Sequence, residues 1–123
     1  MKTFLISGAL LFSSVALAEN HPPHTAPDQP AAMTEAGKEY MSGMQAMHDG
    51  MMKGIMAADA DEAFVRGMIA HHQGAVDMAR IQLKYGKDTE MRKLAEEIIR
   101  AQEQEIKQMQ SWLEKKESQT GAS

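Results

Sequence analysis

Two stretches of this chain collect the side chains that hold soft metal ions. "MIAHHQGAVDM" (Met68 to Met78) sets two adjacent imidazoles, His71 and His72, among thioethers. Met68 precedes them by three and four residues, and Met78 follows His71 by seven, spacings that share one helical face. "YMSGMQAMHDGMMKGIM" (Tyr40 to Met56) gathers six methionines around His48. The chain has 12 Met and no Cys in 123 residues, so its soft donors are thioether and imidazole. That donor set suits Cu(I), or Ag(I), rather than Mg, Ca or Zn. The same methionines also suit core packing, because a flexible thioether fills irregular gaps.

A third group depends on processing. "MKTFLISGALLFSSVALAEN" has one lysine, an apolar run and the small residues Ala16 and Ala18, the pattern of a secretory signal peptide (residues 1–18). Cleavage after Ala18 leaves Glu-Asn-His at the new terminus. Its free amine, two backbone nitrogens and the His21 imidazole then suit square-planar Cu(II) or Ni(II). The apolar run is too short for a convincing membrane span, and no lipidatable cysteine follows it. The expected destination is the periplasm, with secretion as the alternative and no stable membrane anchor.

Loss of Lys2 with the leader leaves 12 basic against 17 acidic side chains, which gives no electrostatic footprint for nucleic acid. No phosphate-binding glycine loop or nucleophile elbow occurs. Glu-x-x-His pairs, which di-iron bundles use, are absent before His48, His71 and His72. These absences point to a binding protein and away from an enzyme. A copper-cycling oxidase at His71 and His72 is the weakest of the alternatives.

The elements that must position these residues are helices. All four prolines fall before Ala31, so residues 19–33 read as an extended Pro/His leader. Periodicity predicts helices over 34–57, from Asp59 or Asp61 to before Gly86, and from Asp88 or Thr89 to about Lys116, with a fraying tail over 117–123. Gly86 is the expected C-terminal cap of the second. Short loops make these an all-α, antiparallel bundle of three main helices over 34–116. The third helix carries Gln102 and Glu105 inside an otherwise apolar stripe, which requires polar partners opposite. Hairpin geometry makes facing residue numbers sum to about 174 for helices two and three, and about 118 for helices one and two. His72 then lies level with Gln102, and His48 with Ala70, so that all three helices bring ligands to one height.

The segment "DEAFVRGMIAHHQGAVDMARIQL…MRKLAEEIIRAQEQEIKQMQSWL" resembles the domain-of-unknown-function family numbered 305, which includes periplasmic copper-binding proteins. The resemblance covers roughly residues 40–113. It implies a ferritin-like helical bundle, copper binding and copper tolerance. Family features fall on Met68, His71, His72 and Met78, with His48 and the upstream methionines matching a Met/His-rich leading helix.

The expectation is a protein that sequesters Cu(I) or transfers it to a copper-export or copper-chaperone partner. Its expected ligands are Met44, His48, Met51, Met68, His71, His72 and Met78, with Gln102 and Glu105 as outer partners and His21 as a Cu(II) ligand. Met41, Met52 and Ile55 are expected to pack. The alternative is a helical interaction module whose Met-rich face docks a partner and holds no metal.

Overall fold

The computed structural model describes residues 32–121. The cleavage point, His21 and the leader up to residue 31 lie outside them. Three helices run in sequence, α1 (Glu35–Gly54), α2 (Ala60–Tyr85) and α3 (Thr89–Thr120), with no strand among the described residues. None is long and apolar enough to cross a membrane.

Each helix starts where a short polar side chain replaces the missing backbone acceptor. Thr34 Oγ1 accepts from Gly37 N at 3.0 Å, Asp59 Oδ2 from Glu62 N at 2.9 Å, and Asp88 Oδ1 from Met91 N at 2.9 Å. The ends differ from expectation. α1 stops at Gly54 rather than 57, because Met56 N and Ala57 N turn to the carbonyls three residues back (Lys53 and Gly54), tightening the chain out of the α-helix. α3 continues past Lys116 to Thr120, where the Ser118 and Thr120 hydroxyls donate to the carbonyls of Lys115, Lys116 and Glu117. Gly86 follows α2 with φ −74°, outside the left-handed region. A Cβ there would strike the side chain and carbonyl of Gln82, so space rather than dihedral freedom selects glycine. The carbonyls at that end, Leu83 and Gly86, are capped by Arg92 Nη1 at 2.7 and 2.9 Å.

α2 is the middle of a layer. It packs against α1 and α3, and no Cα of α1 comes within 8 Å of one in α3. At ~100° per residue, Gly67, Ala70, Gly74 and Ile81 point to one flank of α2, and Val65, His72, Val76 and Ala79 to the other. The α1 flank is a close backbone approach. A Cβ on Gly54 would lie 2.6 Å from Gly67 N, one on Gly50 would lie 2.9 Å from Ala70 Cβ, and one on Gly74 would overlap Met47. The α3 flank carries most of the core, with Val65, Val76, Ala79, Ala95 and Ile106 buried.

The two broad sides of this layer differ. One is polar: Arg66 bonds Glu62 and Glu117, Arg80 bonds Glu103, and Gln73 bonds Asp77. Glu62 is the main reason the Arg66 guanidinium is held above its ordinary pKa. The other side is apolar and bears the grooves described next.

Candidate metal site

His72 is the buried polar residue of the core, 8 % exposed, and Val65 and Val76 flank it on the same side of α2. Its Nε2 lies 2.5 Å from Glu105 Oε2, on α3. Nδ1 is buried and has no hydrogen-bond partner among the described residues. With the carboxylate ionised, Nε2–H donates to it, and a neutral ring then carries its lone pair on Nδ1. The arrangement matches the way carboxylates orient metal-bound imidazoles.

The ring borders a groove of about 430 Å³ between α2 and α3, lined also by Phe64, Met68, Glu105, Met109 and Trp112. Met68 stands one turn before His72, and Met109 one turn after Glu105, so helical spacing alone brings two thioethers to the imidazole–carboxylate pair. Imidazole nitrogen and thioether sulfur are the donors a soft monovalent ion takes; the carboxylate remains in a supporting role. Among the described residues, no group of three His, Asp or Glu side chains gathers as a harder ion would need.

The described residues singled out in the sequence divide into five sets. Met68 and His72 line the groove, joined by Glu105. Gln102 lies one turn before Glu105 on α3, its buried Oε1 without a partner among the described residues, and is not bonded to His72. His71 is exposed, its ring centroid 6.0 Å from that of His72 in an edge-on arrangement. Met78 lies farther along, in a second groove with Tyr40, Met91, Leu94 and Ile98.

Met44, His48 and Met51 line neither groove. The expected meeting of three helices at one height fails at His72, because α1 and α3 stand on opposite flanks of α2. The division within α1 is also reversed in part. Met41, Met52 and Ile55, expected to pack, are 57, 47 and 52 % exposed, and the methionine that packs is Met47, against Gly74. The glycine edge of α1 takes the interface and turns the methionine stripe outward. Met109, Phe64 and Trp112 were not among the expected site residues. The spacing of Met109 from Glu105 was the signal available.

Fold and groove define a small all-α, methionine-rich protein with a carboxylate-supported histidine beside thioethers. The chain belongs to the family described as "Domain of unknown function (DUF305)", whose model matches residues 13–113. It is also similar to "Uncharacterized protein L153" of Acanthamoeba polyphaga mimivirus, 36 % identical over 59 residues, which are 48 % of this chain. The match spans 39 % of that relative's length.

Proposed function

We propose that this chain is an exported, periplasmic protein that binds Cu(I), either sequestering it or passing it to a copper-export or chaperone partner, and so contributes to copper tolerance. It binds its cargo and catalyses no reaction. The observation that carries the proposal is His72: a buried imidazole held by Glu105, with its other nitrogen unpaired, in a groove with Met68 and Met109. A buried nitrogen without a partner costs about 1–3 kcal/mol, a cost that a soft ion bound at Nδ1 would remove. In this reading the exposed Met44, His48 and His71, with half-buried Met51, serve secondary capture. His21, if exposed as the third residue by cleavage, supplies a separate Cu(II) site.

The test is competition for Cu(I) against a chromophoric chelator, without oxygen. The wild-type chain should withdraw Cu(I). His72→Ala and the pair Met68→Leu/Met109→Leu should weaken binding by at least about tenfold, the least that losing even a supporting partner of a ligand costs. A wild-type chain that fails against even a weak chelator refutes the copper function. The second reading, a docking module without metal, is favoured by the exposed α1 methionines Met41, Met44, Met52 and Met56. It requires that the same titration show no Cu(I) uptake.

A further inference from the structure

No described residue covers the apolar side of the three-helix layer. Along α2 it presents Phe64, Met68, Ala75 and Met78, with the exposed His71 between them; α3 adds Met91, Leu94, Ile98, Met109 and Trp112; α1 adds Tyr40, Met44 and Ile55. The two grooves lie end to end on it, with Phe64, Met68, Ala75 and Met78 following one another at helical spacing along a single stripe. Met44, Ile55, Phe64, Met78, Met91, Leu94 and Trp112 are each 37–65 % exposed. At ~200 Å² for a free side chain of this size, these seven alone present roughly 700 Å² of apolar surface. That exceeds the few hundred Å² usual for the largest patch of a monomer and matches the ~800 Å² each partner brings to a stable interface.

We infer that a second copy of this chain covers the face, making a symmetric dimer of two stacked helical layers. Three observations select this occupant. Domains are built from two layers closed over one core, and here one layer stands with its apolar side open. The face carries the Glu105 carboxylate, bonded to His72, and the exposed His71 imidazole among apolar side chains, so a strongly charged partner finds little complement there. Residues 19–31 contain no Leu, Ile, Val, Phe, Met, Trp or Tyr, so the processed leader offers no large apolar side chain to match the face, whereas a second copy does. An apolar face stacked on its own copy about a two-fold axis satisfies both at once. Such a dimer would roof the groove of His72, Met68 and Met109, which is open toward the same side. In that respect the inference rests on the copper proposal, but the association needs no metal.

Sedimentation equilibrium of the exported chain, with its mass determined and metal chelated, tests it. The expected mass at micromolar concentration is that of two chains. Phe64→Lys and Leu94→Lys replace side chains that are 65 and 45 % exposed in one copy, so the helices should persist by circular dichroism. Dimer dissociation should rise at least about 30-fold, the scale of losing an interface hot spot. Gln104→Lys, exposed on α3 away from this face, should leave the dimer intact. A wild-type monomer at 100-fold higher concentration (about 100 μM, beyond the weakest stable dimers) overturns the inference, as does a dimer indifferent to both lysines. Because Cu(I) is absent, a monomer leaves the chelator result standing, and a dimer that ignores Cu(I) leaves the association standing.

Discussion

The close approach of α1 and α2 makes a quantitative demand on two glycines of the same helix. Gly43 has nothing within 4 Å of where a Cβ would stand. Gly43→Ala therefore adds only helix propensity, a gain of about 0.5–1 kcal/mol. Gly54 is the opposite case. A Cβ there would lie 2.6 Å from Gly67 N, 2.7 Å from the Arg66 carbonyl carbon and 3.0 Å from its oxygen. Ordinary carbon contacts fall near 3.5–4.0 Å, so α1 must retreat by close to an ångström. The obstructing atoms are backbone and cannot rotate aside. Overpacking of this kind costs about 1–3 kcal/mol, and at the last helical residue little propensity offsets it. The expected net loss for Gly54→Ala is about 2 kcal/mol. At about 4–8 °C per kcal/mol for a domain of this size, Gly43→Ala should raise the Tm by a few degrees and Gly54→Ala lower it by roughly 10 °C. Thermal unfolding by circular dichroism at one protein concentration separates them. A Gly54→Ala chain that melts with or above wild type would refute the seam.

Acid and alkali should each weaken the fold at the exposed cross-links. The Lys84 ammonium, then the Tyr85 hydroxyl, hold the Glu39 carboxyl below its ordinary range, and Lys116, then the Glu62 amide, do so for Asp59. A lowered folded pKa means stability present above the unfolded value and lost as pH falls through the folded one. Stability should therefore decline below about pH 4, and Glu39→Gln with Asp59→Asn should flatten that decline, since the substituted amide oxygen still caps α2. Lys84 is raised by Glu39, so its contribution holds below the unfolded value and fades as pH rises through the folded one. Both effects should shrink in high salt, as melting curves would show. Arg92→Met should cost about 2 kcal/mol in urea unfolding by stranding the Leu83 and Gly86 carbonyls. Glu105→Gln keeps a hydrogen-bonding group opposite His72 but loses its charge, so Cu(I) affinity should fall by about 10–100-fold in the chelator assay.

The helix starts were legible because Thr34, Asp59 and Asp88 announce themselves chemically. The His72–Glu105 pair was legible because a carboxylate in an apolar stripe demands a partner, and an antiparallel hairpin puts histidines opposite; the register was out by about three residues. The helix ends were less so: a 3₁₀ turn after Gly54 and hydroxyl back-bonds at Ser118 and Thr120 are local geometries without a strong composition signal. The orientation of α1 was the larger gap. A stripe of methionines looks like a core face, yet the glycine edge at Gly50 and Gly54 allows backbone contact with Gly67 and Ala70 and takes the interface instead. Which residues meet at the site follows from that rotation, and periodicity alone does not rank a small-residue face above a large apolar one.

The most direct measurement is methyl NMR of the exported chain carrying [13C-methyl]methionine, titrated anaerobically with one equivalent of Cu(I), which is diamagnetic. If His72 and its neighbours hold the ion, the Met68 and Met109 methyl signals shift first and together, and His72→Ala abolishes that step. Shifts confined to Met41, Met44 and Met52 of α1, with Met68 and Met109 unmoved, would contradict the groove between α2 and α3 as the site.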